Sequence, residues 1–300
     1  MILILSQNNE ITTTEVIKYL IQMNKKFIRV HEDELFEIKI RDKKIFLEGT
    51  HNVFFLDDIK SVWYRRGGLK FKRLKYTNRS IHLNMSETQH WLEDYVKKTL
   101  ESKKNINKES NSDVNKLIIL NKAKDIGFDV PEYFLSENTD DVEIEKTIIK
   151  TINGNVMLEE IKKSFSGFMY TSVVKERENR DFFITFFQKK IEKDFEVRTF
   201  YLNGLCWSMA IFSQNDAQTK TDFRKYNEIK PNRNVPYRLP AELEKKIHLL
   251  MQYLDLNSGS VDFIKKGEKY YFLEINPIGQ FMGLSHTCNY FLEQKIAEFL

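Results

Sequence analysis

Residues 261–277 constrain this chain more than any other stretch. Val-Asp-Phe and Leu-Glu-Ile-Asn-Pro flank the polar turn Lys265-Lys266-Gly267-Glu268-Lys269, so an antiparallel hairpin is expected. Asp262 and Glu274 are placed symmetrically about position 268, which sets them face to face across the two strands. Glu274 and Asn276 are two residues apart and share a strand face. Three oxygen-bearing side chains therefore converge. Two carboxylates that close repel each other unless a cation neutralises them. An all-oxygen set suits magnesium, which commonly fills its remaining positions with substrate phosphates. The competing reading is a set of solvent-facing polar positions on an amphipathic hairpin. The apolar company of Val261, Phe263, Phe272, Leu273 and Ile275, and the strand-ending Pro277, favour convergence.

The bulk properties exclude several classes. A length of 300 residues allows a sizeable core and suggests two or three modules. With 41% hydrophobic residues the chain is expected to fold. A net charge of +4 over 30% charged residues is a mild excess, and acids alternate with bases along most of the chain. That is a solvated surface, not the concentrated basic stripe of a nucleic-acid binder. Two cysteines, Cys206 and Cys288, make no disulfide framework and read as small core residues. No signal peptide is seen at the N-terminus, and no stretch approaches the roughly 18 apolar residues of a membrane helix. The expected location is the cytoplasm.

The chain opens with a β-α-β pattern: a strand at residues 2–5, a helix at 12–25 and a strand at 27–30. Short strands follow at 38–40, 44–48 and 53–55. Residues 61–64 run into the doubly basic turn Arg65-Arg66-Gly67-Gly68, and 88–100 read as a helix. Residues 101–112 are polar with one aliphatic residue, the pattern of a surface linker. A helix at 114–127, stopped by Gly127, precedes an extended segment at Val130-Pro131. Strands are expected at 146–151 and 182–191. Residues 196–201, 205–212 and 261–276 read as antiparallel strands. The expected fold class is α/β (α+β), divided into 1–112, 113–187 and 188–300.

The hairpin signature resembles the C-terminal motif of the ATP-grasp superfamily, whose Asp, Glu and Asn hold magnesium against ATP phosphates. Asn115-Lys116, a helix, Gly127 and Val130-Pro131 resemble the entry to the central subdomain of that fold. Ile148-Ile149-Lys150 resembles the strand whose Lys touches the phosphates. Gln188-Lys189-Lys190-Ile191 resembles the hinge that reads adenine through backbone groups, with Lys189 where the family often has Glu. Glu196-Val197-Arg198 resembles the acid-x-Arg after the hinge, and Thr221-Asp222-Phe223-Arg224 the segment that brings an Arg to the phosphates. Residues 164–167 are the candidate for the loop over the phosphates. Val-Trp-Tyr-Arg-Arg at 62–66 and Asn-Pro-x-Gly-Gln-Phe at 276–281 narrow the resemblance to the graspetide synthetases, the peptide-maturing branch.

The resemblance implies an ATP-grasp fold with an N-terminal pre-ATP-grasp domain, a central subdomain and a C-terminal subdomain carrying the metal site. It implies ATP and Mg2+ as cofactors, and a ligase that joins side-chain carboxylates of a precursor peptide (leader plus acidic core) to Thr/Ser hydroxyls or Lys amines. It also implies a homodimer. In that reading ATP meets Lys116, Lys150, Gln188, Lys189, Lys190, Ile191, Glu196 and Arg224, while Asp262, Glu274 and Asn276 hold the metal. Arg198 holds the acceptor carboxylate or acyl phosphate, and Arg198, Arg224 and Lys150 are the catalytic set.

Several alternatives stay open at this point. Arg65 and Arg66 belong either to a substrate wall or to an exposed turn or internal ion pair. The aromatic run at 182–187 is core or a peptide groove. Other ATP-grasp ligases (a ribosomal-protein glutamate ligase or a glutathione-type synthetase), a small-molecule kinase and a non-catalytic ATP-binding adaptor compete for the function. His51, His82, His90, His248 and His286 are scattered, and no Ser-His-Asp set is present.

Overall fold

A computed structural model describes residues 1–152, 157–162, 165–168, 170–178, 181–225 and 227–300. The N-terminal portion alternates strands and helices: β1 (Ile2–Ser6), α1 (Ile11–Gln22), β2 (Phe27–His31), β3 (Leu35–Arg41), β4 (Lys44–Glu48), β5 (Val53–Phe55), β6 (Ser61–Tyr64), β7 (Lys70–Phe71), α2 (Arg79–Glu101) and β8 (Lys104–Ile106). Its parallel sheet has the order β2-β1-β6-β8, and a second sheet runs β5-β4-β3-β7. Residues 101–112 are therefore not simply a linker. β8 lies within them and pairs in parallel with β6. The polar composition concealed it because β8 is an edge strand, of which only Ile106 is buried.

The middle portion contains α3 (Lys116–Ile126), β9 (Tyr133–Ser136), β10 (Thr147–Lys150), β11 (Met157–Lys162), β12 (Phe165–Phe168), β13 (Ser172–Val173) and β14 (Thr185–Lys189). Local chemistry sets the ends of α3. The Asn115 side chain accepts from the Leu117 and Ile118 amides, and Gly127 closes the helix at φ +91°. The sheet order is β13-β10-β14-β9, with β11 and β12 paired as a separate ribbon. Of the candidate phosphate loop, Ser164 lies outside the described residues, as does the turn at Asn153-Gly154, and 165–167 fall in β12.

The C-terminal portion contains β15 (Phe195–Leu202), β16 (Leu205–Phe212), β17 (Arg233–Tyr237), α4 (Ala241–Tyr253), β18 (Ser258–Lys266), β19 (Lys269–Asn276), α5 (Met282–Cys288) and α6 (Leu292–Phe299), with sheet order β17-β16-β15-β18-β19. One face of this sheet presents Val197, Val261, Phe263, Phe272 and Ile275 to α3 and α4, which supply Ile119, Leu120, Leu243, Ile247 and Leu250. Phe200 and Leu202 instead join a core with Val16 and Leu20 of α1 and Leu292 and Ile296 of α6. The first and last portions are thus welded by a shared apolar core. Phe272 is fully buried, 5.3 Å from the Phe128 ring and 5.8 Å from that of Phe263. We expect Phe272→Ala to lower the unfolding free energy by about 3–5 kcal/mol, read by urea titration.

The aromatic run divides. Phe186 and Phe187 are core, whereas Phe183 is 86% exposed. Burial pushes the Cys206 thiol up to about 12, in keeping with a packing role. Among the described residues no helix is long and apolar enough to cross a membrane.

Candidate active site

A cleft of about 310 Å3 opens between the middle sheet and the C-terminal sheet. Its C-terminal wall is the polar face of β15, β18 and β19. Arg198 pairs across the strands with Asp262, and Asp262 with Glu274. The sequence expectation for that second pair holds, by a route the sequence did not show. The turn is two residues long and pairs Lys266 with Lys269 and Phe263 with Phe272. A regular continuation would set Leu273 opposite Asp262 and aim Glu274 at the core. A bulge between the Phe263 and Asp262 pairs absorbs one residue, so Glu274 opposes Asp262 and both Leu273 and Glu274 line the cleft.

The opposite wall comes from β10 and β14. Ile148 pairs with Gln188, and Lys150 lies two residues on from Ile148, so these three share a face. All three line the cleft, with Lys116, Lys189, Ile191, Glu196, Arg198, Arg224, Asp262, Glu274 and Asn276. Lys190, Arg65 and Arg66 are not on its walls. Lys190 lies just past the end of β14 and pairs with Glu192. Arg65 is 3% exposed and paired with Glu10 at 3.2 Å, so the internal-ion-pair reading describes it.

Charge in the cleft is neutralised in pairs. Arg198 meets Asp262 with two parallel hydrogen bonds, Nε to Oδ1 at 2.8 Å and Nη2 to Oδ2 at 2.7 Å. Lys116, at the start of α3, lies 3.1 Å from Glu274 and donates to the Thr151 carbonyl at 2.9 Å. Arg224 pairs with Asp222 at 2.6 Å, and Lys193 pairs with Glu196. Among the described residues Lys150 has no hydrogen-bond or ion-pair partner, and burial lowers its pKa.

Burial alone would raise the Glu274 carboxyl, but Lys116, Lys150 and Arg224 together pull it down to about 2. Asp222 is likewise held at about 2 against burial, by the Arg224 guanidinium and the amides of Thr171 and Arg224. Glu196 goes the other way. Burial raises it despite Lys193 and a 2.7 Å hydrogen bond from Ser213. Asp222 and Lys193 were missed as site residues. Asp222 carried a faint signal, two residues before Arg224. Lys193 carried only its i,i+3 spacing to Glu196.

The donor set fits a hard divalent cation. Asp262 and Glu274 are carboxylates that already require positive partners, and Asn276 adds an amide oxygen beside them. Among the described residues no three His, Cys, Asp or Glu side chains converge, and the Asn276 Oδ1 accepts from the Ile278 amide at 3.1 Å.

Comparison with known proteins agrees with this architecture. No family model matches the chain, and no curated protein matches it in sequence. Solved structures do. The macrocyclase MdnC of Microcystis aeruginosa, bound with precursor peptide MdnA, is 25% identical, covers 100% of this chain and 99% of its own, and has a TM-score of 0.76. A RiPP-associated ATP-grasp ligase of Chryseobacterium gregarium, in complex with ADP and a leader and core peptide, is 23% identical over 99% and 94% of the two chains, also at 0.76. The macrocyclase MdnB of Microcystis aeruginosa is 21% identical over 100% and 98%, at 0.72. The chain has the ATP-grasp fold. Within it, the chain has the full-length architecture of the graspetide-synthetase branch.

Proposed function

We propose that this chain is an ATP- and magnesium-dependent ligase acting on a ribosomally made precursor peptide, with the cleft as its active site. The observation that carries the reading is the meeting of Lys116, Lys150 and Arg224 with the oxygens of Asp262, Glu274 and Asn276 in one cleft. Full-length likeness to a macrocyclase bound with its precursor peptide supports the substrate class. We divide the chain into 1–112, 113–187 and 188–300, with the cleft between the last two. The cytoplasm, where ATP is plentiful, is the location this chemistry needs. A homodimer is part of the same reading, supported by the exposed Ile81, Trp91 and Tyr95 on α2.

A carboxylate is a poor acylating agent because its leaving group would be oxide. Transfer of the γ-phosphoryl group of ATP converts it to an acyl phosphate and releases ADP. A Thr or Ser hydroxyl, or a Lys amine, of the same peptide then attacks the carbonyl carbon and expels phosphate, closing an ω-ester or ω-amide ring. Lys150, Arg224 and Lys116 neutralise charge on the phosphates. Gln188, Lys189 and Ile191 meet the base and Glu196 the ribose. The planar fork of Arg198 suits the acceptor carboxylate. Asp262, Glu274 and Asn276 would hold magnesium, which when bound offsets the negative charge of the phosphates.

The test uses a short synthetic peptide carrying Asp/Glu, Thr and Lys, with ATP and magnesium, followed by mass spectrometry. We expect loss of one water per ring, with one ADP and one phosphate released for each. A gain of phosphate mass would identify a kinase instead. Turnover of free amino acids with no peptide change would overturn the peptide reading.

A further inference from the structure

Arg65, which the proposed mechanism does not use, has all five N–H donors engaged. Nε donates to Thr12 Oγ1 at 3.2 Å. Nη1 donates to the Ile278 and Gly279 carbonyls at 3.0 and 3.2 Å. Nη2 donates to Glu10 Oε1 and to Gln280 Oε1, each at 3.2 Å. The guanidinium thus fastens the N-terminal portion to the segment that follows Asn276. Asn107 adds a bond to the Pro277 carbonyl at 2.9 Å. From inside, Gly279 lies against Ser260, where a Cβ would sit 2.1 Å from Oγ.

The segment so held ends in Gln280, whose side chain is exposed and lines the cleft. A guanidinium can only donate, so the Gln280 atom facing it must be the carbonyl oxygen. The Nε2 amide group is thereby turned away from Arg65. Among the described residues it has no acceptor. We propose that Gln280 is a substrate-contacting residue whose fixed NH2 group binds a carboxylate oxygen of the peptide, and that Arg65 is the positioning residue that sets its orientation. This rests on the ligase reading of the cleft. The pairing explains why a buried cation stands outside the cleft yet next to the segment carrying a cleft residue. It also gives the cleft that Arg198 lines a neutral donor, able to orient a carboxylate without adding charge.

The experiment measures binding of a fluorescein-labelled synthetic peptide carrying Asp/Glu, Thr and Lys by anisotropy, with Mg·ADP present, and Mg·ADP binding itself by calorimetry. For Gln280→Ala we expect peptide affinity to fall about tenfold, the loss of one hydrogen bond to a charged group, with a far smaller change in Mg·ADP affinity. Gln280→Glu should lose more, because like charges meet. Arg65→Lys keeps a cation beside Glu10 but not the five-donor fork, and should weaken peptide binding while Mg·ADP binding persists. The double variant Arg65→Lys/Gln280→Ala should bind no worse than Gln280→Ala alone, the signature of one residue acting through the other. Unchanged peptide affinity in both Gln280 variants would overturn the contact. Additive losses in the double variant would overturn the positioning role. Mg·ADP binding by the wild type with no peptide binding would also overturn the contact. If the wild type bound no Mg·ADP, the ligase reading itself would fail, and this inference with it.

Discussion

Glu274→Ala should abolish ATP-dependent turnover, with a loss of at least about a thousandfold, while the circular dichroism spectrum stays that of the wild type. Glu274 is the carboxylate on which Lys116, Lys150 and Arg224 converge, and that field holds its pKa at about 2. Its removal deletes one of the three proposed metal oxygens and leaves Lys116 without its ion-pair partner. Two effects then act together. Magnesium affinity falls, and the cations repel one another without compensation. Glu274→Gln separates these effects, because it keeps the shape and one oxygen and loses only the charge. We expect it to bind magnesium weakly and to turn over slowly, above the Ala variant. Wild-type activity in either variant would defeat the assignment of Glu274 to the metal cluster.

Glu10→Ala should lower the unfolding free energy by about 3–5 kcal/mol, measured by urea titration at neutral pH. Glu10 caps α1 by accepting from the Thr13 amide at 2.6 Å, and it is the only carboxylate paired with Arg65 among the described residues. Its loss strands a buried guanidinium among neutral acceptors. The pH dependence follows from the same pair. Burial would raise the Glu10 carboxyl, but Arg65 and the hydroxyls of Thr12 and Thr13 outweigh it and bring the pKa from 4.5 to about 2. A depressed carboxylate stabilises the fold above its unfolded pKa, and that contribution disappears as pH falls through the folded value. The wild type should therefore lose this stability between about pH 4.5 and pH 2, and Glu10→Ala should show a flatter profile there. Equal slopes for the two proteins would mean that Glu10 is not the titrating group.

Much of the fold could be read before any coordinates, and the reasons are local. Strand β1 is a buried apolar run, and α3 carries its own Asn115 cap and Gly127 stop. Those signals need no partner from elsewhere in the chain. Strand β8 was missed because its pairing with β6 supplies the stability that its polar composition lacks. Within the site, Asp262, Glu274 and Asn276 were legible as a hairpin set, although their common face depends on the bulge between the Phe263 and Asp262 pairs. Asp222 and Lys193 were not, because their ion pairs with Arg224 and Glu196 appear only in the folded segment, where spacing alone gave a faint signal.

The sequence by itself determined the hairpin, the shared strand face of Glu274 and Asn276, and the alternation that sets Asp262 apart from Val261 and Phe263. These follow from a two-residue period that any strand obeys. The tertiary structure alone decided three things. It placed a bulge at Leu273 that keeps Glu274 aimed at the cleft. Among the described residues it left Lys150 without a hydrogen-bond or ion-pair partner, where Lys116, Arg198 and Arg224 are each paired. It also drew Arg65 out of the site and made it the clamp on the segment after Asn276. The Lys116 and Arg65 contacts join groups more than a hundred residues apart, and the bulge depends on how two strands pair. No local pattern encodes such encounters, because their energies come from burial and paired charge that exist only in the folded state.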